Sequence, residues 1–437
     1  MASAWTGRLP PSPPVVRRRP ALRHHLLGRL GPGLITGAAD DDPSGIVTYS
    51  QAGAQFGFAL GWTMLATLPI MAAVQEISAR LGRVTGSGLA AILRSVAPGW
   101  LVALLVGLLV VANVINLGAD IGAMAETIVL LLGGRASLWA IAIALFCSGA
   151  EIWLAYKRYV QLLKWLTVSL LAYVALLLVV HLPLRAVLAG VLVPHIPAGS
   201  GAAGVVLALL GTTISPYLFF WQAAEEVEDM ATHPGTRPLR DDPDAAGPEL
   251  SRIGFDTWAG MGYSNGVALA IIIGTGATLH AGGITNIQTA AQAASALQPV
   301  AGRFAAALFA AGIFGTGLLA VPVLAGSSAY AIGDALHWRV GLGRRALEAR
   351  AFYAALATAT LLGLVIALSP IDPMKALVWS AMINGAVSAP LIAAMVVLGS
   401  MRRVMGALVL PAWLRALGWL AAAAMAASTA GLFLAPA

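Results

Sequence analysis

Apolar stretches about twenty residues long alternate with short polar segments along most of the chain. A helix needs roughly 20 consecutive apolar residues to cross the hydrocarbon core of a bilayer. Eleven stretches meet this requirement, so the pattern predicts an all-α polytopic membrane protein with about eleven transmembrane helices. Their approximate limits are 34–57, 59–80, 100–132, 136–156, 159–182, 203–228, 257–280, 303–334, 351–369, 374–399 and 413–435.

The composition agrees with this class. Of the 437 residues, 59% are hydrophobic and 10% are charged, which is too apolar for an ordinary water-soluble domain. The single cysteine, Cys147, lies in an apolar run and excludes a disulfide framework and a thiolate metal cluster. The net charge of +7 comes from Lys and Arg residues between the apolar stretches, where membrane topology explains them. We therefore expect a lipid bilayer and no nucleic acid as a partner.

The distribution of positive charge predicts the orientation. Residues 1–30 contain closely spaced prolines and the run Arg17–Arg19, without an apolar core of signal-peptide length. We expect them to form a disordered basic tail in the cytoplasm. With the N-terminus inside, cytoplasmic segments hold 22 of the 26 Lys and Arg residues, as the positive-inside rule requires. The longest polar segment, 229–256, is interpreted as a solvated cytoplasmic loop.

Three consecutive carboxylates interrupt the first apolar stretch, at Asp40, Asp41 and Asp42. An ionised Asp near the bilayer centre costs at least about 2.5 kcal/mol on insertion scales, so such groups face a polar cavity and mark an ion or substrate path. Pro43 follows directly and removes a backbone donor, which predicts that the helix unwinds here and frees carbonyl groups. Carboxylates beside free carbonyls are what a hard divalent cation needs.

A second interruption lies in the sixth stretch, where Gly211 and Pro216 bracket a short polar run. Two matched breaks five spans apart are the mark of two inverted five-span repeats with a substrate site between the broken helices. The sequence therefore predicts a first repeat over 31–182 and a second over 203–399, followed by an eleventh span at 413–435.

Other polar residues lie inside predicted spans. Asp120 and Glu126 in span 3 are candidates for a proton or ion path, although a structural hydrogen-bond network explains them equally well. Asn384 in span 10 is a candidate cavity-lining amide. Glu76 and Arg80 are four residues apart and predict an ion pair at the inner end of span 2. The chain has no catalytic triad pattern, metalloprotease motif or phosphate loop, so we expect a protein that is not an enzyme.

Several segments resemble the NRAMP family of divalent metal transporters over nearly the whole chain. Asp42-Pro43-Ser44-Gly45 is similar to the family's Asp-Pro-Gly-Asn motif in span 1. Ser215-Pro216-Tyr217 stands at the place of its Met-Pro-His in span 6. Support comes from 79–86 after span 2 and from 118–122 in span 3. The resemblance implies a LeuT-like fold of 5+5 inverted repeats with helices 1 and 6 broken, which agrees with the pattern of breaks.

The resemblance also implies a ligand set. Asp42 matches the family's metal carboxylate, and Ala39 and Thr212 fall where its backbone carbonyl ligands lie. Gly45 stands in place of the Asn ligand, and Ser215 in place of the Met thioether.

Further departures affect the proton apparatus of the family. Tyr217 and Gln222 replace two His residues of span 6. In span 3 an acidic residue of the family is Ala123 here, while Glu126 lies nearly one turn further on. The changes at Gly45 and Ser215 are expected to harden the site and to leave room for a bound water, which suits Mg²⁺.

We therefore expect a secondary transporter that imports divalent cations by alternating access and needs no cofactor. Its substrate would be Mn²⁺, Mg²⁺ or Fe²⁺, with a weaker preference for Fe²⁺ and Mn²⁺ over Mg²⁺ than ordinary family members have. Asp40 and Asp41 would help to attract the cation. Proton coupling and the oligomeric state stay open, although a monomer is compatible with the sequence.

Two alternatives stay open at this point. One keeps the fold but carries an amino acid or other organic solute with Na⁺, and the other is a membrane receptor that binds a cation without transporting it. The composition, rich in Ala, Arg and Gly, favours the inner membrane of a bacterium.

Overall fold

The apolar stretches form helices in a computed structural model, which describes residues 31–153, 168–197, 201–233 and 235–434. No strand occurs among these residues. The predicted basic tail, 1–30, and the start of predicted span 5 lie outside them. The α-helices are α1 Pro32–Asp40, α2 Pro43–Phe56, α3 Trp62–Thr85, α4 Leu89–Arg94, α5 Gly99–Leu132, α6 Ala136–Trp153, α7 Leu171–Val179, α8 Leu184–Leu192, α9 Ala202–Thr213, α10 Pro216–Thr232, α11 Ala246–Thr275, α12 Ala290–Ser295, α13 Gln298–Ala301, α14 Ala305–Leu336, α15 Arg350–Ala367, α16 Pro373–Ser400, α17 Arg402–Met405 and α18 Ala412–Leu434.

Each predicted span overlaps at least one of these helices, and the fold is polytopic and all-helical. Within the described residues, seven helical segments are long and apolar enough to cross a membrane, and Ala136–Ile152 is apolar but shorter. The seven are Gly99–Leu132, Ala202–Thr232, Pro243–His280, Gln298–Leu336, Arg350–Ala367, Pro373–Ser400 and Ala412–Leu434.

Both predicted helix breaks are present. The first span divides between α1 and α2 at Asp41 and Asp42, and the sixth divides between α9 and α10 at Ile214 and Ser215. In each case a proline occupies the first turn of the second half, where its missing N–H is no loss and its fixed φ favours a helix start. The same ring cannot continue the preceding helix, because it would remove a hydrogen bond and clash one turn back.

Small residues bring the first broken helix against α11. A Cβ atom added to Gly37 would lie 2.4 Å from the carbonyl of Gly260, and one added to Gly33 would lie 2.7 Å from the amide nitrogen of Thr257. These approaches leave no space for a side chain, so the backbones of α1 and α11 pack directly on each other. Such contacts between small residues are a common basis for helix association in membranes.

The structure corrects the predicted loop 229–256. Helix α11 begins at Ala246, so the second half of that segment is helical. Its charged residues looked solvated in the sequence, but Arg252 contacts Glu226 at 2.8 Å and Glu249 at 3.1 Å, and Asp256 is fully buried. Internal partners offset the cost of placing these charges inside the protein.

The structure contains one predicted ion pair and one helix that the sequence pattern does not predict. The predicted ion pair of Glu76 and Arg80 is present at 2.6 Å, and Trp258 donates its indole N–H to the same carboxylate at 3.0 Å. Helix α8, Leu184–Leu192, was not predicted, because it lies in a segment too short to be a separate span.

Candidate cation site

The two helix breaks face each other in the protein interior. Tyr217, in the first turn of α10, places its hydroxyl oxygen 3.2 Å from the carbonyl oxygen of Ala39 and 3.3 Å from Oδ2 of Asp42. All three residues are at most 1% exposed. Ala39 lies in the last turn of α1, where carbonyl groups have no partner within the helix. The structure therefore brings together three of the residues singled out in the sequence.

Three donors hold the Asp42 carboxylate, and a fourth group, a hydroxyl, lies near it. Its Oδ1 accepts hydrogen bonds from the Ser44 hydroxyl and the Gly45 amide, both at 2.7 Å. Its Oδ2 accepts one from the Asn116 side chain at 2.9 Å and lies near the Tyr217 hydroxyl. No Lys or Arg pairs with Asp42 in the described part of the chain. Because only neutral groups contact this carboxylate, the site has no cationic group to balance its charge.

The other two carboxylates of the triplet point to a different neighbour. Ser264 of α11 donates its hydroxyl to Asp40 at 2.6 Å and lies 3.1 Å from Oδ1 of Asp41. The remaining oxygens, Oδ1 of Asp40 and Oδ2 of Asp41, are buried without a hydrogen bond from any described residue. The helix break thus divides the triplet into one carboxylate facing α10 and two facing α11.

The expectation of free space at Gly45 is wrong. A Cβ atom at this position would lie 3.0 Å from Oγ1 of Thr212 and 3.3 Å from the ring of Tyr49. Both side chains are buried and occupy the direction in which a side chain of residue 45 would point. Gly45 therefore supports Asp42 through its amide, and the room expected for a water molecule there is filled by protein.

At the second break the Ser215 hydroxyl is hydrogen-bonded to the backbone of the preceding turn. The Ser215 hydroxyl donates to two backbone carbonyl groups at the end of α9. It lies 2.9 Å from the Thr212 carbonyl and 3.0 Å from the Gly211 carbonyl. A cation that used the Thr212 carbonyl or the Ser215 hydroxyl would have to replace this bond. The sequence did not reveal it, because a Ser hydroxyl that bonds its own preceding turn is indistinguishable from a free one.

Helix α5 supplies the third side of the site. Asn116 joins Asp42 to α16, because its Oδ1 accepts a hydrogen bond from Ser380 at 2.7 Å. Asp120, one turn further on, is fully buried and receives no hydrogen bond from a described side chain. Glu126 is half-buried further along the same helix.

Two further predicted residues, in α10 and α16, are buried. Gln222 accepts a hydrogen bond of 2.5 Å from the Thr36 hydroxyl and thereby joins α10 to α1. The Asn384 side chain in α16 is buried, and no described residue hydrogen-bonds to its amide. The contact of Ser264 with the triplet is not predictable from the sequence, since one Ser in an apolar span carries no signal.

The donor set is composed of hard oxygen atoms. Among the described residues no cluster of three or more His, Cys, Asp and Glu side chains could hold a metal ion. What the breaks provide is one carboxylate, the carbonyl end of α1, and hydroxyl groups. The C-terminal ends of α1 and α9 carry partial negative charge, which favours a cation between the half-helices.

Comparison with known proteins finds a family model, sequence relatives and solved structures that are similar to the chain. The family model described as natural resistance-associated macrophage protein-like matches residues 33–435. A divalent metal cation transporter, MntH, of Burkholderia ambifaria is 36% identical over 122 residues, which are 28% of this chain and 24% of the relative. Metal transporter Nramp4 of Arabidopsis thaliana is 37% identical over 113 residues, 25% of this chain and 22% of the relative. The chain thus matches only about a quarter of the length of these relatives.

Solved structures share the fold. A manganese transporter of Eremococcus coleocola superposes with a TM-score of 0.74 at 16% identity, covering 92% of this chain and 85% of the other. The nucleobase-cation-symport-1 family transporter Mhp1 superposes with a TM-score of 0.51 at 12% identity, covering 92% of each chain. These likenesses support the LeuT-like arrangement with broken helices.

Proposed function

The chain belongs to the natural resistance-associated macrophage protein-like, or Nramp, family, and from this premise we propose that it carries divalent metal cations across a membrane. The observation that carries the proposal is the buried carboxylate of Asp42, which lies where two broken helices meet and is paired with no cation among the described residues. An anion in this position is costly unless it binds a cation or a proton. The names of the relatives, which call them metal transporters, agree with this function.

The cation would be held by oxygen atoms. We propose the Asp42 carboxylate and the Ala39 carbonyl as direct ligands, with the Thr212 carbonyl joining after the Ser215 hydroxyl releases it. Water would complete the shell on the side of α10. Carboxylate, carbonyl and water suit Mg²⁺ and Mn²⁺, whereas the thioether that favours softer metals is absent at Ser215. Mg²⁺ keeps several waters because it dehydrates reluctantly, so it should compete well with Mn²⁺ and Fe²⁺ here.

Transport would proceed by alternating access. In LeuT-like folds the two repeats rock against each other around a site near the bilayer midplane. The contacts of Tyr217 with Ala39 and Asp42 span the two broken helices, so relative motion of α1 and α10 would change the site directly. Asp40 and Asp41, which share one Ser hydroxyl, are candidates for a coupled proton. Comparing uptake with and without a pH gradient tests that coupling.

Cation uptake into proteoliposomes tests the proposed function. Wild type should take up Mn²⁺ saturably, and an excess of Mg²⁺ should reduce this uptake. Asp42→Asn should lose uptake, because the amide keeps the shape of the side chain and removes its charge. Glu348→Gln, which changes an exposed carboxylate, serves as the matched control and should transport like wild type.

Two results would contradict the proposal in different ways. Wild-type rates in Asp42→Asn would exclude Asp42 as the cation anchor. Mn²⁺ uptake that is insensitive to a large Mg²⁺ excess would exclude the proposed weak preference between the two ions. Competition by free amino acids would support the rival function, a symporter of organic solutes. No contact in the described site specifically favours that function.

We also propose a bacterial inner membrane as the location, with the N-terminus in the cytoplasm. The support is the distribution of 22 of the 26 Lys and Arg residues on one predicted side. A cysteine introduced at Ser3 in a Cys147→Ala background should react with an externally added, membrane-impermeant maleimide only after the cells are permeabilised. Labelling from outside intact cells would reverse the orientation.

A further inference from the structure

The hydroxyl of Tyr217 occupies the gap between two proposed cation ligands. Its oxygen lies 3.2 Å from the Ala39 carbonyl and 3.3 Å from Oδ2 of Asp42. A phenol has one proton and can donate it to only one of these oxygens at a time. Both distances are also longer than the usual 2.5–3.0 Å of an O–H···O hydrogen bond. The two acceptors are therefore in contact with the phenol but poorly satisfied by it.

Other approaches to the carboxylate are already taken. Ser44 and Gly45 donate to Oδ1 of Asp42, and Asn116 donates to Oδ2. A divalent cation would lie about 2.0–2.6 Å from its oxygen ligands, closer than the phenol oxygen lies to either. A cation that bridged Ala39 and Asp42 from the α10 side would thus overlap the position of the hydroxyl group.

We propose that the Tyr217 hydroxyl is a built-in occupant of the cation position, which must leave before a cation can bind. This inference rests on the proposed function and adds a residue that sets the affinity of the site. The neutral phenol competes for the same oxygens that the cation needs, so it lowers the affinity for every divalent ion by a similar factor. It is displaced from the site and is not a ligand in the bound state.

Because of its position in the chain, displacement of the Tyr217 hydroxyl also changes a contact between the two broken helices. Tyr217 follows Pro216 at the start of α10, directly after the break, while its two acceptors belong to α1 and to the residue that caps α2. When a cation takes over Ala39 and Asp42, α10 loses its Tyr217 contacts with the first broken helix, while the Thr36–Gln222 hydrogen bond remains. Cation binding thereby weakens the attachment of α10 to α1, which favours the relative motion that alternating access requires.

Binding to purified protein in detergent tests this inference. Free Mn²⁺ gives an electron paramagnetic resonance signal that is lost on binding, and Mg²⁺ affinity follows from competition. Tyr217→Phe keeps the ring and removes the competing hydroxyl, so both ions should bind about three- to tenfold more tightly, the size expected for one net hydrogen bond. Tyr353→Phe, which removes a buried hydroxyl bonded to the Arg344 carbonyl at 3.0 Å, should leave both affinities unchanged.

Each result decides the inference. Weaker binding in Tyr217→Phe would identify the phenol as a ligand, and unchanged binding would show that it does not compete; both overturn the inference. Asp42→Asn tests the proposed function separately from the role of Tyr217. If this variant bound cations as tightly as wild type, Asp42 would not belong to the cation site. Tyr217→Leu, which also lacks the hydroxyl, supplies the same measurement if the Phe variant does not fold.

Discussion

The start of α1 depends on one carboxylate from a helix more than 220 residues away. Asp256 of α11 accepts hydrogen bonds from the amides of Gly31 at 2.8 Å, Gly33 at 2.6 Å and Leu34 at 3.1 Å. The first amides of a helix have no partner within the helix, and Asp256 supplies one from outside. Asp256→Ala would remove all three bonds and leave these amides without a carboxylate partner.

The size of the effect follows from the number of bonds. Replacing a helix N-cap by Ala costs about 0.5–2 kcal/mol. Because Asp256 is fully buried and bonds three amides, we place the loss near the upper end, at about 2 kcal/mol. A change of this size raises the population of the locally opened state about 30-fold. The amides of Gly31, Gly33 and Leu34 should therefore exchange their hydrogens about 30 times faster than in wild type.

Hydrogen–deuterium exchange with mass spectrometry of peptides covering 31–36 measures this directly. The matched control is Asp372→Ala, which removes the cap of α16, a single bond of 3.1 Å from the Lys375 amide. That variant should speed exchange only near the start of α16. Unchanged exchange in peptide 31–36 of Asp256→Ala would refute the argument that Asp256 fastens α1 to α11.

Two other substitutions test the packing and the buried charges. Gly37→Ala should destabilise the protein by about 1–3 kcal/mol, because its Cβ would meet the Gly260 backbone at 2.4 Å. Gly262→Ala, with no atom within 4 Å of the new Cβ, should not, and equal melting temperatures in detergent would contradict this reasoning. Arg252→Ala should cost about 3–5 kcal/mol, because it leaves the Glu226 carboxylate buried without its 2.8 Å partner. Adding Glu226→Gln should recover part of this loss, and a double variant no more stable than Arg252→Ala would count against the pair.

The sequence predicted those parts of the site that depend on local chemistry. Pro43 and Pro216 mark both breaks, because a proline ends a helix wherever it meets one. The importance of Asp42 follows from the cost of a charge in an apolar span. The apolar stretches likewise indicated the helices, since their length is set by the bilayer.

What could not be predicted depends on which distant residues meet. The absence of a side chain at Gly45 predicts free space, but Thr212 and Tyr49 fill that space. Asp256 looked like a loop residue because its partners lie at the other end of the fold. Asp40 and Asp42 are two residues apart yet face different helices, because the backbone leaves the helical path between them.

Isothermal titration of Mg²⁺ and Mn²⁺ into purified wild type and Asp42→Ala tests the central claim most directly, with Ca²⁺ as a third ion. Because Asp42 supplies the only charge among the proposed direct ligands, wild type should bind Mg²⁺ and Mn²⁺ saturably with one ion per chain. Asp42→Ala should elute as a folded protein and give no measurable binding heat. Wild-type affinity and stoichiometry in Asp42→Ala would contradict the account.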